Sequence, residues 1–203
     1  PWKSHYQTIE RALRNDLQTG METGEKSYAM ACLRTLSFLN VFLRDRLDRA
    51  QENMTQNIRL LQRSGEGLNL STVLVWTQFV HNIRGRAADP LSFEGPMFDE
   101  ASNLRTAQTS GLYQTTYYLN LAKLVLHFHL GHFRAAFAYS EEAEQYLPNP
   151  GTFYLNALLP FYQSLVILQL PGGQGQPPKL VKKLEQNLQK LQLWAQHAPM
   201  NHQ

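Results

Sequence analysis

Apolar residues recur three or four positions apart along almost the whole of this chain, and no segment reads as a strand. Near the start, Trp2, Tyr6, Ile9, Leu13 and Leu17 are spaced four, three, four and four apart. That spacing draws one stripe down a helix over 2–19 that stops at Gly20. A second helix, 25–43, carries Tyr28, Cys32, Leu36, Leu39 and Phe42 on a face broad enough to be flanked on two sides. Leu47, Ala50, Met54, Ile58 and Leu61 mark a third over 45–63, ended by the SGEG stretch. The β-branched run in LNLSTVLVWTQFVHNIRG suggests a strand, yet its length and the spacing of Leu70, Leu74, Thr77 and His81 predict a helix.

Two Gly and two Pro between Gly85 and Pro96 make an irregular connection over about 85–97, followed by a short helical turn near 98–104. Helices over 112–130 and 132–147 pivot on Gly131 as an αα-hairpin. Two more, over 152–170 and 178–197, flank a flexible loop at 171–178. Pro160 either kinks the first of them or marks a late start. The expectation is an all-α fold of about eight helices joined in antiparallel pairs, forming one domain over 1–203.

With 203 residues, 43% of them hydrophobic and only 17% charged, the chain has material for a core and too little net charge to stay unfolded. The net charge of +3 is a small excess in a charge-poor sequence, so no nucleic-acid partner is expected. Lys179, Lys182 and Lys183 are the one close basic trio, and they read as a solvated helix face. A single cysteine, Cys32, permits no internal disulfide and reads as a small buried hydrophobe, which points to a reducing, cytoplasmic setting. The longest apolar runs fall short of the ~20 residues of a membrane span, so no membrane insertion is expected. The chain opens on Pro1 with no leader pattern, as a segment of a longer polypeptide would.

Residues that could do chemistry do not assemble into a motif. His127, His129 and His132 lack metal-ligand spacing and read as edge packing and groove lining. GGQG at 172–175 lacks the Lys and the preceding strand of a phosphate loop. Glu141, Glu142 and Glu144 crowd one outer helix face. The expectation is a segment without enzyme activity, catalytic residue, metal or cofactor.

Gly131, Ala136, Ala143 and Pro148, with Phe133 two residues after the glycine, follow the second half of a tetratricopeptide pattern. Gly allows the tight turn, the two Ala let paired helices approach, and Pro ends the second helix. Leu124 stands where the first-helix Gly is usual, and Ser140 replaces an aromatic. The pattern therefore predicts stacked, TPR-like helix pairs. If Gly131 marks the turn, Tyr118, Val125, Phe128 and His129 point to the concave side, and one ~34-residue period later so do Thr152, Asn156, Tyr162 and Gln163. Val125 and Phe128 read as inter-repeat core, while Tyr118, His129, Asn156 and Gln163 are the candidate groove residues.

Over nearly its whole length the chain resembles one helical-repeat region. The matching stretches are GMETGEKSYAMAC, GPMFDEASNL, FHLGHFRAAFAYSEEAEQYL, FYQSLVILQL and NLQKLQLWAQHAPMN, the last most specific at Trp194, Ala195, Ala198, Pro199 and Asn201. That region belongs to large bacterial-type signalling proteins carrying a Ser/Thr protein kinase, a STAND-type AAA ATPase, GAF and a sensor histidine kinase. A longer acidic stretch after Asp99 and a further helix after Gln203 belong to the family pattern and are missing here. The resemblance implies a non-catalytic module that couples neighbouring domains of the same polypeptide, or a protein partner, to kinase output. The ATP would belong to other domains of the parent. The alternative is a small-ligand-sensing repeat of a STAND-type transcription regulator. Trp2 and Trp194 would cover neighbouring repeats, so uncapped ends could pair two copies.

Overall fold

The computed structural model describes residues 6–43, 46–65, 67–95, 97–111, 113–146, 155–171 and 177–197. Among them the chain forms nine α-helices and no strand. They are α1 (Tyr6–Thr23), α2 (Lys26–Leu43), α3 (Leu47–Ser64), α4 (Gly67–Ile83), α5 (Glu100–Ser110), α6 (Gln114–His129), α7 (Phe133–Gln145), α8 (Leu155–Gln169) and α9 (Pro178–His197). Neighbours in sequence pack side by side, with α1 on α2, α2 on α3, α3 on α4, α7 on α8 and α8 on α9. The chain divides into two compact units, 3–115 and 116–203.

In the first unit α2 is the central element, touching α1, α3 and α4. This is the broad flanking that its apolar face predicts. The stripe itself differs from the expected one. Tyr28 points outward, 56% exposed, with its hydroxyl 3.3 Å from Asp16 Oδ2. Ala29, Met30, Leu33, Phe38 and Val41 join Cys32, Leu36 and Leu39 in the interior. Helix α1 also runs past Gly20. That glycine lies inside the helix and faces α2, where a Cβ would stand 3.1 Å from the Ala29 Cβ. Gly20 is thus a site of close approach between helices, and the stop falls at Gly24, whose φ of 83° is the left-handed conformation.

Helix α3 buries Ala50, Met54, Ile58 and Leu61 and ends on Gly65, as its spacing predicts. Helix α4 is a helix despite its β-branched run, because it is covered on most sides: Val73, Val75, Trp76 and Val80 are fully buried. The Trp76 ring meets Phe42 and Phe79 edge-on at centroid distances of 5.1 and 5.4 Å.

The connection after α4 is irregular yet anchored. Asn82, 2% exposed, donates from Nδ2 to the carbonyls of Pro90 (3.1 Å) and Ser92 (2.6 Å), and its Oδ1 accepts from Gln78 Nε2 at 2.8 Å. Phe93 and Phe98 are buried along the same stretch. Asp99 then caps α5, accepting from the Ser102 N–H at 2.7 Å. The expected short turn is therefore an 11-residue helix. Its Ser, Thr, Gln and Asn positions give it no apolar stripe, which is why periodicity undercounts it.

Asn82 holds a loop that has no strand or helix to satisfy its carbonyls. Asn82→Ala should lower stability by about 2–3 kcal/mol in denaturant titration, and the Gly95 amide, bonded to the Phe98 carbonyl at 3.0 Å, should lose its protection from hydrogen exchange.

Candidate functional site

The second unit turns on Gly131. Its φ of 79° lets α6 close with the His132 N–H on the His127 carbonyl (2.8 Å) and the Gly131 N–H on the Phe128 carbonyl (3.1 Å). The hairpin places Ala136 and Ala143 in complete burial, as the repeat pattern predicts. Pro148 and Thr152 lie outside the described residues.

Around this turn a group of rings gathers from three helices. Phe128 lies 5.8 Å from Phe133 and 5.4 Å from Tyr162, centroid to centroid. His129, the last residue of α6, is exposed and sets its Nε2 3.1 Å from the Tyr162 hydroxyl. Which of the two donates depends on the imidazole tautomer. The same packing shifts both titrations: partial burial holds His129 below the ordinary histidine value and pushes the Tyr162 phenol up. At neutral pH the pair is thus an uncharged histidine beside a protonated tyrosine, two polar handles on an aromatic surface.

The four predicted groove residues have different fates. His129 is at the surface in this cluster. Asn156 is half-buried and accepts from the Tyr117 hydroxyl at 3.3 Å. Tyr118 is 1% exposed and Gln163 is 1% exposed, so these two side chains lie in the interior. Gln163 is instead the middle of a buried chain. Its Nε2 donates to Ser140 Oγ at 3.1 Å, its Oε1 accepts from Asn187 Nδ2 at 2.8 Å, and Ser140 donates to the Phe137 carbonyl at 2.7 Å. Ser140 and Asn187 are both buried. The serine that departs from the repeat pattern is therefore the α7 end of a polar link through α8 to α9.

Of the lysine trio, Lys179 and Lys182 are exposed, as a solvated face requires, and Lys183 is half-buried. Lys183 pairs with Glu144, and Lys179 stands 4.0 Å from Glu141; these four residues and Gln163 are among those lining a cleft of about 360 Å³. Of the other histidines, His127 is buried against Tyr139 and His132, with centroid distances of 5.0 and 5.8 Å. Among the described residues, no group of three or more His, Cys, Asp or Glu could hold a metal ion, and no helix is long and apolar enough to cross a membrane. Trp194 is half-buried on α9, and Trp2 lies outside the described residues. Sequence reasoning missed Tyr117 and Asn187. Asn187 carried a usable signal, an amide on the inward face of an amphipathic helix three and four residues from Leu184 and Leu191.

Comparisons of the chain with protein-family models, curated proteins and solved structures give no match.

Gln163→Leu should cost about 2–3 kcal/mol, because Ser140 and Asn187 each lose a buried partner. The double variant Gln163→Leu/Asn187→Leu should be less destabilised than the sum of the two single changes by at least about 1 kcal/mol in a denaturation cycle. The histidine gives a pH signature. Its folded-state pKa is below the ordinary value of about 6.5, so below that pH the unfolded chain binds more protons than the folded one. Stability should fall as pH drops from about 6.5 through the folded pKa, and His129→Phe should flatten that part of the stability profile relative to the parent chain.

Proposed function

We propose that this chain is a non-catalytic protein-interaction and signal-coupling module, a TPR-like solenoid within a multidomain kinase and ATPase signalling protein. The observation that carries the reading is the ring cluster of Phe128, His129, Phe133 and Tyr162 where α6, α7 and α8 meet. Aromatic side chains bury much area for little rotamer entropy, and a histidine and a phenol at the rim of that surface give a partner direction. The rings rest on the Gly131 hairpin and on the buried Ser140, Gln163 and Asn187 link, so the surface is held ready rather than assembled on contact. The placement in a kinase and ATPase polypeptide is supported by the resemblance of the quoted stretches. On that reading neighbouring domains of the parent are the partners, and ATP is theirs.

One observation favours a small-ligand sensor of the STAND regulator kind. A cleft of about 290 Å³ in the first unit is lined by Leu68, Leu70, Leu74 and Ala107, with the Ser71 and Thr115 hydroxyls 2.9 Å apart at its polar corner. This is the lower end of the ligand-site range.

Calorimetric titration of the 203-residue chain against separately expressed kinase and ATPase domains of its parent tests the coupling reading. Saturable binding that weakens at least tenfold in His129→Ala/Tyr162→Ala is the expected result. Absence of binding to every domain, together with a thermal shift on adding a small metabolite that Leu74→Trp abolishes, would favour the sensor instead.

A further inference from the structure

Helix α8 buries one arc and, among the described residues, leaves an apolar arc partly open to solvent. Its inward arc, Leu155, Leu159, Gln163, Val166 and Ile167, is buried. The opposite arc at 100° per residue is Ala157, Leu158, Phe161, Leu165 and Leu168. Phe161 is 45% exposed and Leu168 61% exposed, with Leu158 and Leu165 half-buried. An apolar stripe on a helix ordinarily packs against another element, so this face calls for a cover.

We infer that the cover is the α8 helix of a second copy of this chain, packed antiparallel about a twofold axis. Two features select that occupant. Leu158, Phe161, Leu165 and Leu168 are spaced three, four and three apart, a knobs-into-holes seam that reads the same in both directions. An antiparallel copy in that register sets Leu158 against Leu168 of the other copy and Phe161 against Leu165, with Ala157 opposite Gln169. The second feature is charge. An isologous contact brings groups on the same patch against their own symmetry mates, so a charged face repels itself. No Asp, Glu, Lys or Arg occurs between Glu144 and Lys179, a stretch that contains all of α8. Charges on an interface also select foreign partners and speed their arrival, and this face has none with which to do so. The face is small, one helix side against the roughly 20–30 residues a side of a standard interface. The dimer is therefore weak, with a dissociation constant of about 0.1–1 mM. It needs neither the ring cluster nor a partner domain, so it stands or falls apart from the coupling reading.

Sedimentation equilibrium of the whole chain from about 5 µM to about 1 mM, roughly two decades reaching up through the expected constant, tests the inference. The weight-average mass should rise above the 23.3 kDa monomer as concentration approaches the upper end. Leu165→Glu should hold it at the monomer throughout, and so should Phe161→Lys. An equimolar mixture of these two variants should associate again, because the carboxylate introduced in one copy then faces the ammonium introduced in the other across the seam. Circular dichroism verifies that both variants fold, and should Leu165→Glu not fold, Phe161→Lys at the more exposed position decides by itself. A monomer at 1 mM, undiminished association in folded Leu165→Glu or Phe161→Lys, or a mixture that stays monomeric would each overturn the inference.

Discussion

The second unit depends on a chain of three buried polar side chains. Ser140, Gln163 and Asn187 come from α7, α8 and α9, and each is almost wholly removed from water. A buried amide without partners is costly, while one with donors and acceptors matched fixes geometry as apolar packing alone does not. Gln163 can satisfy both neighbours only where α7 and α9 sit at one height along α8. That constraint carries α9 into reach of α7, where Lys183 meets Glu144. It also fixes the rotation of α8, turning Tyr162 toward the end of α6 and leaving Phe161, Leu165 and Leu168 outward.

The first unit uses the same device in a different place. There the buried amide is Asn82, which accepts from Gln78 and binds a loop rather than a helix. Backbone carbonyls in an irregular stretch have no ladder to join, so a side chain must supply the donors. Asn82 thus ties the carbonyls of Pro90 and Ser92 in the stretch between α4 and α5.

Much of this is legible in the sequence, and the reasons differ by element. Helices α3, α6 and α7 follow from apolar spacing and from glycines that take left-handed backbone at Gly65 and Gly131. Gly20 misleads because the sequence does not distinguish a glycine that ends a helix from one that admits a neighbour, and here the neighbour is Ala29. Tyr28 misleads because a tyrosine fits a stripe by spacing and a surface by its hydroxyl. The groove candidates split along the same line. A polar residue on a predicted concave helix either meets solvent, as His129 does, or meets another buried polar group, as Gln163 does, and only the position of Asn187 twenty-four residues on decides which. Tyr118 is interior because α6 is covered around most of its circumference, from Tyr117 and Leu119 to Leu126.

The central claim is that the buried amide chain fixes the packing of α7, α8 and α9 and so holds the surfaces of the second unit in place. Side-chain amide hydrogen exchange, followed by NMR at Gln163 and Asn187, addresses it directly. Both NH₂ groups should exchange far more slowly than those of the exposed Gln169 and Gln189, and Asn187 should speed up when Gln163 is replaced by Leu. Exchange of the Gln163 and Asn187 amides at the rate of the exposed glutamines would contradict the account.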